Sequence, residues 1–223
     1  MCGFFPIFLR SYKIDVVVIG GGTVGTIRAK ELLKAGFKVK VISKDFSTEL
    51  KELEKSYQTL FLFKKEININ TKLELKELIR DTNLVISATG NPALNKDICE
   101  LAREMGKLCN DPSNMENSDF IIPISMVNND FGVAVTTFGI SSIVSKEILN
   151  RINSNILASK EIVNLLHAMA EIKVFLKENV KDPKRRYHLY HEIFDDREFN
   201  LRAKEGDIKN ALERAKEIVG DEN

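Results

Sequence analysis

The chain has 223 residues, with 33 basic and 32 acidic side chains and a formal net charge of +1. That balance excludes a general electrostatic attraction to nucleic acid or to an anionic membrane, and the length suits one α/β domain with a smaller appendage. Three cysteines, Cys2, Cys99 and Cys109, lack metal-site spacing, and their scarcity argues against a disulfide framework.

In chain order, Phe5-Pro6-Ile7-Phe8-Leu9 reads as an extended arm covering the sheet edge or the domain floor. Arg10 and Lys13 interrupt it, and no stretch approaches membrane-spanning length, so a cytoplasmic location is expected. From Asp15 to Ser43 the order is apolar run, glycine-rich turn, amphipathic segment and second apolar run, which predicts strand, turn, helix, strand. Gly20 permits the tight turn, Gly22 leaves room for a pyrophosphate, and Gly25 lets the helix pack closely on the strands. The helix N-terminus offers amides and a positive dipole end to the phosphates, and Gly36 falls where that helix should stop. A dinucleotide site is the expectation, against packing glycines in a βαβ unit. Beyond the second strand, Ser43 and Lys44 could tolerate a 2′-phosphate, while Asp45 could favour NAD.

The alternation continues. Ser47 to Tyr57 suits a helix capped by Ser47, Leu60 to Phe63 a strand, Leu73 to Leu78 a short helix, and Leu84 to Ala88 a buried strand. Thr89 and Gly90 follow at the carboxyl end of that strand, where a parallel sheet places its ligands. Asn95 to Met105 reads as a helix ended by Gly106, after which Asn110-Asp111-Pro112 returns to the sheet with a carboxylate expected to face the cleft.

The composition changes after Pro112. Phe120 to Val127 and Phe131 to Thr137 form two strand candidates around Asn128-Asn129-Asp130, and such a hairpin must pack on helices, extend the first sheet or pair across a dimer. From Ser141 the pattern is helical. Ile143, Val144, Ile148 and Ile152 make one apolar stripe, continued by Ile156, Ile162, Val163, Leu166, Met169, Ile172, Phe175 and Leu176. His167 reads as structural, and Ala211 to Val219 as a packing helix. Lys184-Arg185-Arg186 could meet substrate carboxylates but is more often a solvated run. His188 and His191 could share a helix face, yet without a third ligand no metal site is expected.

Taken together these stretches resemble the precorrin-2 dehydrogenase family of siroheme synthesis, including the amino-terminal portion of multifunctional siroheme synthases. The resemblance rests on Pro6 to Leu9, Val18 to Val24 with Arg28-Ala29, Leu84 to Thr89 with Asn95, Asn110-Asp111-Pro112, Asp119 to Pro123 and Thr136 to Ser141. It covers roughly the first 150 residues. It implies a Rossmann-like parallel-sheet domain (1–112) that binds NAD, a β-hairpin dimerisation and substrate-cleft region (113–150) and a helical carboxyl-terminal domain (151–223). It also implies NAD-dependent oxidation of the tetrapyrrole precorrin-2 to sirohydrochlorin in an intertwined homodimer. Some members also insert ferrous iron into sirohydrochlorin.

On that model Gly20 and Gly22 contact the pyrophosphate, Thr23 and Val24 open the cofactor helix, Lys44 and Asp45 take adenosine-side positions, and Thr89 lies along the nicotinamide side. Asp111 is the candidate catalytic carboxylate; counting back from Phe120 instead reaches Ser113 or Asn114, which cannot supply one. The chain departs from the family in Phe138-Gly139, where a Gly-Gly pair is common, and in Ser142, where a proline is common. Ser141 matches a serine phosphorylated in some multifunctional relatives. Two other functions share the glycine loop: a nucleotide-sensing regulator with a helical oligomerisation module, and a dehydrogenase of a small metabolite.

Overall fold

Five apolar runs of the first half become the strands of one parallel sheet in the computed structural model, which describes residues 3–68 and 72–220. They are β1 (Asp15–Ile19), β2 (Lys38–Ser43), β3 (Leu60–Lys64), β4 (Leu84–Ser87) and β5 (Leu108–Asn110), in the order β3-β2-β1-β4-β5. Between them run α1 (Thr23–Lys34), α2 (Thr48–Ser56), α3 (Lys72–Ile79) and α4 (Pro92–Glu104).

The two-residue period of β1 explains the layering. Val16 and Val18 face one core with Leu32 and Leu33 of α1 and Leu50 of α2, whereas Val17 and Ile19 face another with Ile79 of α3 and Ile98 and Leu101 of α4. A strand covered on both faces must be apolar where it is covered, as Val16 to Ile19 of β1 are. Leu50 is completely buried, and a side chain of its size contributes about 1.5–3 kcal/mol by leaving water.

Helix ends follow local chemistry. Ser47 caps α2 by accepting from the Leu50 amide, as expected. α4 starts earlier than its apolar pattern suggests, because Asn91 accepts from the amides of Ala93 and Leu94 and Pro92 suits a first turn. Gly36 and Gly106, at φ +83° and +69°, close α1 and α4 in the left-handed conformation that glycine adopts without strain.

One expectation about this half is corrected, and one cross-link was not foreseen. Cys99 and Cys109 form a disulfide, with Cα atoms 5.2 Å apart. α4 turns back at Gly106 directly into β5, so both side chains enter the same core layer; the result is one cross-link rather than a framework. Cys2 lies outside the described residues. The Phe5 to Leu9 segment is extended, but its apolar side chains are left largely in water rather than packed on the sheet: Phe5 is 85% exposed, and Ile7, Phe8 and Leu9 are also exposed.

Contacts divide the chain into two units after Ile122. The second unit opens with an antiparallel hairpin, β6 (Ile124–Val127) and β7 (Gly132–Val135). The Asn128 side chain closes its turn by accepting from the amides of Asp130 and Phe131, both at 2.8 Å. Among the described residues five α-helices follow, α5 (Ser142–Ile152), α6 (Lys160–Asn179), α7 (Pro183–Asp195), α8 (Arg197–Glu205) and α9 (Ile208–Val219), with a π-helical turn at Asn153–Leu157 after α5. Met169, Ile172 and Leu176 of α6 pack with Leu189 and Ile193 of α7, Phe199 of α8 and Ala211 and Ala215 of α9.

The apolar stripe of α5 is not buried. Ile143 is 80% exposed and Val144 and Ile148 are exposed as well, while Ser145 and Leu149 are the buried positions. Ile156, Ile162 and Leu166 extend the exposed apolar set. His167 sits one position off the buried stripe of α6, so instead of being embedded it is exposed, with Nε2 3.2 Å from Asp130 Oδ1 in the hairpin turn. Among the described residues no helix is long and apolar enough to cross a membrane.

Candidate functional site

The sheet order changes direction at β1, whose neighbours are β2 and β4, and the carboxyl ends of β1 and β4 frame a crevice. The chain leaves β1 through Gly20 at φ +117°, and a Cβ there would lie 2.0 Å from the Ala88 carbonyl oxygen. A Cβ on Gly25 would lie 2.0 Å from the Gly20 carbonyl oxygen, so these two glycines weld β1, β4 and α1 together. Gly22 differs: an added Cβ would meet nothing within 4 Å. It is also the N-cap of α1, with no side chain bonded to the first turn.

A cavity of about 350 Å³ opens here, lined by Gly20 to Val24, Ser43, Ser87 to Gly90, Pro92, Asn95, Pro112 and Ser113. None of these side chains is charged, so no carboxylate opposes a phosphate. An uncapped helix start, a glycine facing open space and a rim of hydroxyls fit the pyrophosphate of a dinucleotide.

Of the residues expected to hold the cofactor, Gly20, Gly22, Thr23, Val24, Ser43 and Thr89 line the cavity. Gly25 lies beneath the loop. Lys44 and Asp45 stand outside the lining, Lys44 Nζ 3.1 Å from Glu66 and Asp45 3.7 Å from Lys64 Nζ.

Asp111 does not face the cleft as expected. It is 2% exposed, and its carboxylate is held from three directions. Oδ1 accepts from the Ser113 amide at 2.9 Å, the Ser113 hydroxyl at 2.6 Å and Asn95 Nδ2 at 3.5 Å, while Oδ2 accepts from Asn117 Nδ2 at 3.2 Å. Its own amide donates to Ser118 Oγ. The local cause is a turn over Pro112 that folds the carboxylate back and presents Ser113 to the cavity.

Asn95, which the sequence offered as the start of a helix and as part of the family resemblance but with no role in the site, is the hub of the rear wall. Its Oδ1 accepts from Ser87 Oγ at 3.0 Å, the Thr89 amide at 3.0 Å and Thr89 Oγ1 at 2.7 Å. The available signal was its helical spacing: Asn95 falls on the same stripe as the buried Ile98, Cys99 and Ala102. A polar residue on an apolar stripe needs partners.

The other candidates lie in the second unit. Arg186 donates to the carbonyls of Val180 and Lys181 at the end of α6. His188 and His191 are exposed on α7, and the His191 ring stands edge-on to Tyr187 at 4.6 Å. A depression of about 530 Å³ between α7 and α9 is walled by the ion pairs of Arg214 with Asp196 and Glu217, which occupy one another's charge.

Comparison with known proteins agrees with this geometry. Residues 7–124 match the family model described as "Putative NAD(P)-binding". A protein of Methanocaldococcus jannaschii named "Putative precorrin-2 dehydrogenase" is 34% identical over 194 residues, 87% of this chain and 91% of that one. The "Precorrin-2 dehydrogenase" of Methanosarcina barkeri is 30% identical over 192 residues, 86% of this chain and 83% of its own. The solved structure of "SirC, precorrin-2 dehydrogenase" superimposes with a TM-score of 0.66 at 22% identity, covering 96% of this chain and all of that one, a likeness of fold. The glycine-loop unit is an NAD-binding domain; its spacing leads one to expect a dinucleotide, and the family resemblance NAD.

Proposed function

The chain belongs to the precorrin-2 dehydrogenase family, and on that premise we propose that it oxidises precorrin-2 to sirohydrochlorin with NAD as the hydride acceptor. The observation that carries this reading is the uncharged cavity at the β1/β4 crevice, with Gly22 and the uncapped start of α1 at one end and the Thr89–Asn95–Asp111 network at the other.

The protein's own part is alignment. Gly22 and the first turn of α1 hold the pyrophosphate. Ser43 bounds the adenosine side, where Glu66 neutralises Lys44 and so weakens any attraction of that lysine for a 2′-phosphate. Thr89, fixed through both its amide and its hydroxyl by Asn95, shapes the nicotinamide side. The reaction removes a hydride and a proton from the macrocycle, and Asp111 is the carboxylate of the site that serves the proton. The exposed Ile143, Val144 and Ile148 face of α5 supports assembly as a homodimer, because a contiguous apolar stripe in water favours burial against a second copy.

The test is anaerobic incubation of freshly prepared precorrin-2 with the purified protein and NAD, following NADH formation and the tetrapyrrole absorption together. Coupled appearance of NADH and sirohydrochlorin is expected. Absence of both, from folded protein that binds NAD, overturns the assignment in favour of a sensor or another substrate.

A further inference from the structure

Asp111 and Ser113 form a pair in which only one member reaches the cavity. Ser113 lines it, whereas the Asp111 carboxylate is 2% exposed and lies behind, 2.6 Å from Ser113 Oγ. Accepting this hydroxyl proton leaves Ser113 Oγ with lone pairs available on its other side. The carboxylate is anchored independently of the turn, by Asn117 from the loop beyond and at longer reach by Asn95 of α4, so its position does not depend on Ser113 alone. The donors that hold it, from Asn95, Ser113 and Asn117, are all neutral.

We infer that Ser113 is the group that touches the substrate, and that Asp111 is a positioning residue and proton sink acting through it. The inference rests on the dehydrogenase reading. As the hydride leaves one ring carbon with its electron pair for the dinucleotide, a proton leaves the macrocycle. Ser113 Oγ bonds that proton while the original hydroxyl proton passes to Asp111 Oδ1. Serine ends as it began, the carboxylate ends as a neutral acid, and water later takes the proton from it. A serine hydroxyl is a weak base alone; the adjacent carboxylate makes the transfer feasible, as a base activates a nucleophile in hydroxyl catalysis.

The test compares S113A, D111N, their double variant, and S113D placed on D111N. Each is first checked for wild-type unfolding behaviour and for equilibrium NAD affinity, which should stay within about two-fold. S113A and D111N should each lower kcat by about 10²–10⁴-fold, the range of a lost proton-transfer group, with the KM for precorrin-2 little changed. The double variant should be no slower than the slower single variant, because the two act as one unit. S113D on D111N returns a carboxylate to the cavity wall and should recover at least about ten-fold over D111N. Wild-type turnover retained by S113A overturns the pairing and leaves Asp111 an element of the turn. Failure of the wild-type protein itself to oxidise precorrin-2 overturns the functional reading and the pairing together.

Discussion

Gly20, Gly22 and Gly25 share one motif but not one physical role. A methyl group on Gly25 would drive into the Gly20 carbonyl, a backbone atom that cannot step aside, whereas one on Gly22 would project into open space. Gly22→Ala should therefore unfold within about 0.5 kcal/mol of wild type yet bind NAD at least ten-fold more weakly, since the methyl occupies the phosphate cradle. Gly25→Ala should lose about 3 kcal/mol, the upper range of overpacking, or fail to fold. Thermal unfolding and calorimetric NAD titration read both. This part of the site was legible because a glycine motif is a local object, its consequences fixed by the six consecutive positions Gly20 to Gly25 and the strand before them. The surroundings of Asp111 were not: the Pro112 turn reverses the side chain, and Asn95, one of its partners, lies sixteen positions back on a different element. Substitution by alanine would leave the Asn95, Asn117 and Ser113 donors short of a buried acceptor, at about 1–3 kcal/mol, so Asp111→Asn is the cleaner probe.

Among the elements, α5 shows the limit of periodicity. An apolar stripe states that one side avoids water, without stating which surface will cover it, and here no residue of the same unit covers Ile143. Ile143→Glu should leave the unfolding midpoint nearly unchanged and convert a dimer to a monomer in sedimentation; a dimer of unchanged strength would remove this face from the interface. α8 gives a prediction of the opposite kind. Asp196 caps it by accepting from the Phe199 amide and also receives two bonds from Arg214 of α9. The Arg214 guanidinium first, and then the Phe199 amide, hold its carboxyl below the ordinary carboxylate range. Because the folded value is the lower one, this stabilisation is complete above the unfolded value, near 3.8, and is lost as the pH falls through the folded value. Asp196→Ala should cost about 1 kcal/mol at neutral pH as a lost cap, and the difference from wild type should shrink in acid below pH 4. Urea unfolding at several pH values measures it.

Over the whole molecule, the alternation of strand and helix in the first half was readable because each strand carries a short apolar core, such as Val16 to Ile19 or Leu84 to Ile86, and several of the connections hold a glycine or a capping residue. The place of division was less so. Composition changes after Pro112, but the next ten residues return to the sheet: Asn110 Nδ2 donates to the Phe120 carbonyl, the Cys109 amide donates to Asp119, and Phe120 and Ile122 pack on the core beside β1. Such a return is written in hydrogen bonds between residues ten positions apart, which neither a helical nor a strand period reveals. The strand order has a further consequence, in time rather than space. Every pairing in the sheet joins strands with a helix or more of chain between them, so the sheet unit carries a loop-closure cost that slows its assembly. It is also synthesised first. At about 5–20 residues per second, the ribosome spends roughly 5–20 s on Pro123 to Asn223, an interval in which the sheet can form.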